Sequence, residues 1–243
     1  MSIKHTISII IKSLPAGQAV YLFVLKCYKK VVLPIRRRRL QKYGFPILRE
    51  LNKVLTENGV EYYIAFGTLL GIIRENNFLR HDDDIDILVK KNDVNEIPKV
   101  ILFMANAGFD FKHYLVSKEG ILYYTFEKYG VSIDLFTYIT DLDNGRIAVD
   151  CVYLDKNIKY PKPSYCSVRR NFYPLIEGRR IYSLNGADFV IPENYDELLI
   201  SMYGKNWRTP IAVWTDDDAP NSFENLDLLA NCCSEYSECK MNS

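Results

Sequence analysis

Two aspartates occupy alternate positions in an otherwise apolar stretch of the chain, Asp84-Ile85-Asp86-Ile87. Because side chains two positions apart in a β-strand lie on the same face, Asp84 and Asp86 would project together. Ile85 and Ile87 would then enter the core. Two carboxylates held about 4 Å apart repel each other by about 4 kcal/mol at an effective dielectric constant of about 20. A divalent cation offsets this repulsion, and a ligand set made only of oxygen atoms is typical of Mg²⁺ or Mn²⁺.

A third aspartate, Asp134, stands between two apolar residues in the strand-like run Val131–Phe136. A carboxylate among core residues is costly to bury unless a partner compensates its charge. If this strand lies beside the first one, Asp134 reaches the same cation. We therefore predict that Asp84, Asp86 and Asp134 are the metal ligands.

The pair Gly67-Thr68 follows a predicted strand and leads into a short predicted helix. The first N–H groups of a helix lack partners within the helix and lie at the positive end of its dipole, so they form an anion site suited to phosphate. Each feature alone is common, and the acidic run Asp216–Asp218 is expected to be a solvated loop. The order of strand, Gly-Thr, helix, Asp-x-Asp strand and Asp strand is much more specific, and it indicates phosphoryl chemistry.

These motifs resemble the LicD family of phosphotransferases. That family carries a run similar to Gly-Thr-Leu-Leu-Gly, followed by an arginine, a phenylalanine and a Trp-Asp-x-Asp-Ile-Asp sequence. A second family signature, with Tyr-x-x-Leu-Leu and Tyr-Gly-x-x-Trp between two prolines, also has a counterpart here. The resemblance covers about residues 60–210, and the matching residues are Gly67–Gly71, Arg74, Phe78, Asp82, Asp84, Asp86, Asp134, Pro192, Tyr195–Leu199, Tyr203–Trp207 and Pro210.

Two residues beside the acids depart from the family pattern. Arg80 stands where proline is common, and His81 stands where tryptophan is usual. Two interpretations of His81 are open, a proton acceptor and a salt-bridged support for the neighbouring aspartates. The departures concern the shape of the donor pocket and leave the three predicted metal ligands in place.

The resemblance implies an α+β fold, a nucleotidyltransferase-like mixed sheet flanked by helices. It also implies transfer of a phospho-alcohol, such as phosphocholine, from a CDP-activated donor to a hydroxyl of a cell-surface glycan, with release of CMP. The partners would be the CDP-alcohol donor and a glycan or lipid-linked glycan acceptor, and the cofactor would be Mg²⁺ or Mn²⁺. Such chemistry needs an in-line attack and stabilisation of the charge on the transferred group.

The resemblance also assigns roles to the acids. Asp84 and Asp86 would hold the cation on the donor diphosphate, and Asp134 would complete the ligand set. Asp82 or Asp134 would take the proton from the acceptor hydroxyl. The expected catalytic residues are therefore Asp82, Asp84, Asp86 and Asp134.

Binding of the donor phosphates is expected to fall to Gly67, Thr68 and Arg74. The Gly-Thr turn would offer backbone N–H groups, and the guanidinium group of Arg74 would clamp a phosphate. A basic stretch further along the chain would face a lipid-linked or anionic acceptor, through Arg169, Arg170, Arg179 and Arg180.

Two other functions would use the same acids. A nucleotidyltransferase would release pyrophosphate from a nucleoside triphosphate and leave the nucleotide on a small-molecule or RNA acceptor. A binding protein would hold a structural cation without turnover. The Tyr-Gly-x-x-Trp signature favours the CDP-alcohol phosphotransferase over the nucleotidyltransferase. Substitution of Asp86 by Asn would separate the enzyme from the binding protein.

The charge of the chain is strongly asymmetric. Ten of the 31 basic side chains lie in residues 1–43, which contain no acid, so residues 44–243 carry a net charge of −9 (21 basic against 30 acidic side chains). A basic arm on an acidic body is typical of attachment to an anionic surface. We expect residues 1–43 either to lie on an anionic membrane or to pack on the domain as a helical hairpin. Nucleic acid is disfavoured, because Arg36–Arg39 have no interleaved aromatic residues.

The apolar runs of the chain are too short for a transmembrane helix and do not form a signal peptide, so a cytoplasmic location is expected, peripheral at the inner face of a membrane. The six cysteines show no CxxC pair and are expected to be free thiols. Residues 1–43 are predicted to be a basic helical extension, 44–220 the catalytic domain and 221–243 a polar, peripheral tail.

Hydrophobic periodicity predicts the elements that position these motifs. Pro34 is expected to end any preceding helix, and Pro161–Arg180 is expected to be irregular. Lys128–Gly130 is predicted to be a hairpin turn. Helices are predicted at Phe45–Asn58, Leu69–Asn77, Val94–Ala107 and Tyr195–Met202, and strands at Val60–Phe66, Ile85–Val89, Ile121–Glu127, Val131–Tyr138 and Ile147–Leu154.

Overall fold

The computed structural model describes residues 26, 28–155, 158, 160–162, 164–211 and 218–234. In this part of the chain the helices are α1 (Leu33–Glu57), α2 (Phe66–Glu75), α3 (Ile97–Asn106) and α4 (Tyr195–Tyr203); a π-helical turn, Tyr28–Val32, precedes α1. The strands are β1 (Tyr62–Ile64), β2 (Asp84–Lys90), β3 (Asp110–Ser117), β4 (Gly120–Lys128), β5 (Val131–Asp141), β6 (Arg146–Tyr153), β7 (Tyr165–Pro174), β8 (Arg179–Leu184), β9 (Ala187–Pro192) and β10 (Phe223–Cys233).

Eight of these strands form one sheet in the order β1-β2-β5-β4-β3-β10-β7-β6, and β6 also pairs with β5. The six strands from β5 to β6 therefore close into a barrel, and β2 and β1 extend from its side. Closure depends on β5, which pairs with β2 through Ser132–Tyr138 and with β6 through Tyr138–Asp141. The β2–β5 pair is parallel, whereas β4 and β6 are antiparallel to β5. The predicted α+β class and mixed sheet are confirmed, but the closure was not predicted.

The alternating side chains of β5 serve two apolar cores. Ile133 and Leu135 are buried in the larger core, together with residues of α1 and with Ile85 and Ile87 of β2. Phe136 packs against the smaller core, which draws its residues from the barrel strands and fills the barrel interior. The buried residues of this smaller core are Leu115, Leu122, Tyr123, Val168, Leu228 and Ala230.

Helix α1 holds the loop that precedes β2 by means of its arginines. Arg36 Nε lies 2.6 Å from Asp83 Oδ2, and Arg37 Nε donates a hydrogen bond to the backbone oxygen of His81 at 2.9 Å. These side chains therefore neutralise and anchor the acidic loop. The described part of the basic extension packs on the domain. Packing on the domain was one of the two alternatives predicted for this extension, and contact with a membrane was the other.

The next turns of α1 hold the same loop at its beginning. Gln41 Nε2 donates to the backbone oxygens of Phe78 and Leu79 at 3.1 and 3.3 Å. Gly44 lets the ring of Phe78 lie against the helix, because a Cβ at this position would be 2.3 Å from a ring carbon. The ring of Phe45 packs beside it, with 5.0 Å between the two ring centroids. The phenylalanine of the family motif thus fixes the loop to α1.

Much of the predicted basic extension has no description here, because residues 1–25 and 27 lie outside the described residues. A contact of those residues with a membrane stays a prediction. The boundary placed between residues 43 and 44 falls inside α1, which continues from Leu33 to Glu57. Within the described part of the chain, no helix combines the length and the apolarity that a membrane crossing requires.

Three expectations about elements are wrong. Pro34 does not end a helix but lies in the first turn of α1, where its missing N–H has no intrahelical role. Pro161–Arg180 is not irregular, because it contains β7, whose Cys166 and Val168 are buried beside half-buried arginines. The tail is not peripheral over Phe223–Cys233, because β10 lies between β3 and β7 and buries Leu228 and Ala230.

The cysteines follow their prediction in part. Cys151, Cys166 and Cys232 are free thiols, as expected. Cys233, however, is disulfide-bonded, so the expectation of free thiols is wrong for this residue.

Candidate metal centre and cleft

The parallel pairing of β2 with β5 brings the three predicted metal ligands together. Asp86 lies directly opposite Asp134, and Asp84 lies opposite Ser132. One carboxylate oxygen from each of Asp84, Asp86 and Asp134 lies within 4.8 Å of the others, and all three residues are half-buried. The intervening apolar residues point into the larger core, as the two-residue alternation predicts.

Burial and mutual repulsion make the charged forms of these carboxylates unfavourable. Burial, and after it the charge of Asp134, raises the pKa of Asp84 to about 7. Burial and the neighbouring carboxylates raise the pKa of Asp86 well above its ordinary value, and burial raises that of Asp134. The raised pKa values mean that the three carboxylates are unfavourable as anions in the absence of a positive charge. A hard divalent cation, which prefers oxygen ligands, would compensate their negative charge.

Helix α2 begins directly beside the carboxylates. The backbone N–H of Asp86 donates a hydrogen bond to Thr68 Oγ1 at 2.9 Å, so the hydroxyl group ties the helix to β2. Gly67 lies close to Asp82, because a Cβ there would be 2.7 Å from Asp82 Oδ2 and would displace this carboxylate. Gly67 and Thr68 therefore lie at the site, as predicted. Thr68 acts on the backbone of Asp86, and Gly67 leaves the helix N-terminus open to the cleft.

Asp82 is the fourth acid at this site. Burial raises the pKa of Asp82 to about 6, an effect that His81 opposes and Asp83 reinforces. His81 Nε2 lies 3.7 Å from Asp82 Oδ1, and the imidazole is otherwise exposed. This geometry favours the interpretation of His81 as a support for Asp82.

Arg74 does not lie at the acidic site. Its Nη1 donates to the backbone oxygen of Trp207 at 3.2 Å, and its Nη2 pairs with Glu75 at 2.9 Å. Trp207 in turn donates from Nε1 to Asp196 at 3.1 Å. The arginine thus joins the two family signatures of the chain, which lie far apart in sequence. The structure gives no support to its predicted role as a phosphate clamp.

A cleft of about 680 Å³ opens beside the acids, with Asp82, Asp86 and Gly67 in its wall. Most of the remaining wall comes from the barrel and from α4. Arg169 lies there, with its guanidinium carbon 4.3 Å from the ring centroid of Phe223 and 5.1 Å from that of Tyr153. The other lining residues include Phe66, Phe136, Asn171, Tyr173, Met202, Tyr203 and Asn221.

Of the four arginines predicted to face an acceptor, Arg169 is the one that lines this cleft. Arg170 forms ion pairs with Asp150 at 2.7 Å and with Glu119 at 2.8 Å, so it connects strands in the wall of the barrel. Arg179 and Arg180 lie in the separate sheet of β8 and β9. Tyr203 belongs to the second family signature, but most of the other aromatic and amide lining residues had no motif, because they come from strands that the sequence did not pair.

The fold and the site define an α+β protein with three carboxylates grouped for a cation beside a helix N-terminus. Residues 59–170 match the family model described as LicD/FKTN/FKRP, nucleotidyltransferase domain. This match confirms the predicted resemblance to the LicD family over that segment, which is slightly less than half of the chain.

Curated relatives agree with this assignment at low identity. The mouse (Mus musculus) protein named Ribitol-5-phosphate transferase FKTN is 24% identical over 181 residues, which are 74% of this chain and 36% of that protein. The Homo sapiens protein of the same name is 24% identical over 175 residues, 72% of this chain and 35% of that protein. Uncharacterized protein RT0683 of Rickettsia typhi is 26% identical over 133 residues, 50% of this chain and 43% of that protein. The chain spans about a third of the length of the FKTN proteins.

The raised pKa of Asp84 predicts how stability depends on pH without metal. Its folded pKa of about 7 exceeds the ordinary 3.8, so the folded state binds more protons between these values and loses stability as the pH rises. In chelator at pH 8, Asp84→Asn should therefore raise Tm by about 2–4 °C, or about 1 kcal/mol. The difference should shrink as the pH falls and should vanish only near pH 3.8, the ordinary pKa of an aspartate. Thermal melts from pH 4 to 8 measure it.

The exposed Asp143 offers a matched control. Asp143→Asn should leave Tm unchanged at every pH. Mn²⁺ should stabilise the wild type increasingly as the pH rises, and the Asp84 variant much less. A wild type that is more stable than Asp84→Asn at pH 8 in chelator would contradict the repulsion described above.

Proposed function

We propose that this chain is a metal-dependent transferase that moves a phospho-alcohol from a CDP-activated donor to a glycan hydroxyl and releases CMP. The observation that carries the proposal is the grouping of Asp84, Asp86 and Asp134 beside a cleft that is lined by Asp86, by the start of a helix and by an arginine. The parallel β2–β5 pair with this helix also supports the finer assignment of a nucleotidyltransferase-like core. Ribitol 5-phosphate replaces phosphocholine as the first candidate group, because it stands in the name of the FKTN relatives.

The three aspartates would bind Mg²⁺ or Mn²⁺, which when bound supplies charge stabilisation to the donor diphosphate. The N-terminal N–H groups of α2, accessible beside Gly67, would orient the phosphate that is transferred. Arg169, between two aromatic rings, would compensate the charge of the departing CMP. Aromatic and amide side chains of the cleft would hold the nucleoside.

Asp82 is the proposed general base. It lines the cleft, and its pKa of about 6 leaves it largely ionised at neutral pH yet basic enough to accept a proton. The acceptor oxygen would bond to the phosphorus that carries the alcohol while the bond from that phosphorus to the CMP oxygen breaks. The acceptor proton passes to Asp82. Asp134, the other candidate base, already accepts a hydrogen bond from Thr125 at 2.6 Å.

Product analysis separates this function from its alternatives. Purified protein with Mn²⁺ should release CMP from CDP-ribitol, and CDP-choline, CDP-glycerol and nucleoside triphosphates form the rest of the panel. Asp86→Asn should reduce CMP release by about 100-fold or more, because charge stabilisation by a metal is worth several kcal/mol. The exposed Asp143→Asn should retain full activity.

Each alternative has its own outcome in this assay. Release of pyrophosphate from a triphosphate instead of CMP would identify a nucleotidyltransferase. Binding of Mn²⁺ without turnover of any donor, in the presence of glycan acceptors, would favour the binding protein. Either outcome would contradict the proposed transfer.

We further propose that α1 contacts an anionic bilayer. Ile35, Arg38 and Lys42 recur at helical spacing on its exposed side, and the side chain of Ile35 is 45% exposed. Arg38, Lys42 and Arg80 also line an open cleft of about 800 Å³. An apolar side chain among basic ones suits the boundary between head groups and acyl chains.

Vesicle sedimentation tests this contact. The triple variant Arg38→Ala, Lys42→Ala, Arg80→Ala should bind vesicles rich in phosphatidylserine at least about 10-fold more weakly than wild type, because each basic residue near such a surface contributes about 1 kcal/mol.

Neutral phosphatidylcholine vesicles should bind neither protein. A matched triple variant at the exposed Lys53, Lys99 and Lys118 should behave as wild type. If both triple variants lose the same vesicle affinity, the binding depends only on the net charge of the protein. This result would contradict a specific docking face on α1.

A further inference from the structure

A row of polar side chains crosses four neighbouring strands at the level of the carboxylates. Asp86 of β2 lies opposite Asp134 of β5, Asp134 lies opposite Thr125 of β4, and Thr125 lies opposite His113 of β3. Residues that are paired directly across strands share a face of the sheet. Asp86, Asp134, Thr125 and His113 therefore form one continuous line.

The next row on the same face explains where this line lies. Phe136 is paired with Tyr123, and Tyr123 with Leu115, and these three belong to or pack against the core inside the barrel. The polar row is two residues further along each strand, so it lies at the edge of that apolar interior. Thr125 and His113 thus back the acidic site from the barrel side.

The polar row is connected by hydrogen bonds. Thr125 Oγ1 donates to Asp134 Oδ1 at 2.6 Å, and His113 Nε2 lies 3.2 Å from the same hydroxyl oxygen. A hydroxyl group has one proton, and here Asp134 receives it, so Nε2 of His113 must carry the proton of the second hydrogen bond. Both hydrogen bonds are made by the hydroxyl group of Thr125, a buried residue that is 7% exposed.

The histidine is suited to this task because it is neutral. Burial lowers the pKa of His113 to about 3, so the imidazole carries a single proton at physiological pH. Its ring is also fixed by packing, edge-on to Tyr123 with 6.2 Å between centroids. A neutral, fixed donor holds the hydroxyl rotor of Thr125 in one orientation.

We propose that His113 and Thr125 are positioning residues for the metal ligand Asp134, through the relay His113 Nε2–H to Thr125 Oγ1–H to Asp134 Oδ1. The relay holds one carboxylate oxygen in a hydrogen bond and so fixes the orientation of the Asp134 carboxylate beside Asp84 and Asp86. Residues that orient a ligand in this way typically contribute 10- to 100-fold to metal affinity. The inference rests on the proposed cation site and adds to it two residues that do not touch the cation.

Mn²⁺ affinity, measured by calorimetry without nucleotide, tests the relay independently of turnover. Thr125→Val keeps the shape of the side chain and removes the hydroxyl, so it should weaken Mn²⁺ binding about 10-fold or more. Thr125→Ser keeps the hydroxyl and should bind within about 3-fold of wild type. His113→Phe keeps the ring and should weaken binding in wild-type protein but cause no further loss in Thr125→Val, because His113 acts through Thr125.

Thr137 is a matched control for a purely structural loss. It is 3% exposed, lies on β5, and donates to the backbone oxygen of Ile121 at 2.8 Å. Thr137→Val should lower Tm in chelator but leave Mn²⁺ affinity unchanged. Thr125→Val also removes a buried hydroxyl and should lower Tm in chelator, so the readout that separates the two variants is Mn²⁺ affinity, which falls only in Thr125→Val.

Several outcomes would overturn the relay. It fails if Thr125→Val binds Mn²⁺ like wild type, if Thr125→Ser is as weak as Thr125→Val, or if the effects of Thr125→Val and His113→Phe add. Failure of the cation site is a different result, in which wild type and Asp84→Asn bind Mn²⁺ equally weakly. Normal Mn²⁺ binding with the expected variant pattern but no CMP release would keep the relay and reject the transferase.

Discussion

The parallel pairing of β2 with β5 is the constraint on which the rest of the structure depends, because it holds Asp86 opposite Asp134 with Asp84 nearby. Burial and mutual repulsion oppose charge on this group, as the pKa of about 7 for Asp84 indicates. The surrounding contacts resist the separation of the strands. Thr68 accepts a hydrogen bond from the backbone of Asp86, and Thr125 donates one to Asp134 from the other side. These neighbouring residues therefore hold the three carboxylates together.

Parts of the chain far from the motifs complete this arrangement. Helix α1 anchors the acidic loop through Arg36 and Arg37, so two arginines of the predicted basic extension contact the loop that carries the aspartates. Arg74 connects α2 with Trp207 of the second signature. Strand β10, from the supposed tail, closes the barrel whose β7 contributes Arg169 to the cleft. The cleft thus depends on the whole described fold, although the family match covers residues 59–170.

The grouping of Asp84, Asp86 and Asp134 was predictable because local alternation places each of them on one face of its strand. The apolar residues next to Asp84, Asp86 and Asp134 enter the core, so the aspartate side chains must lie on the opposite face of their strands. The hairpin at Lys128–Gly130 was predictable for the same local reason and is confirmed. Barrel closure and β10 were not, because apolar and polar residues do not alternate regularly along β10 and its pairing shifts register between Leu226 and Leu229. The roles of Thr125 and His113 arise from non-local register, which no single strand reveals.

The central claim is that Asp84, Asp86 and Asp134 form one divalent cation site. Anomalous diffraction from a crystal soaked in Mn²⁺ tests it most directly, since the signal locates the metal without reference to activity. The account predicts one strong peak at about 2.0–2.4 Å from an oxygen of each of the three carboxylates, in line with the distances of hard-cation ligands. No peak at these residues in the soaked crystal, or a strong peak elsewhere on the described chain alone, would contradict it.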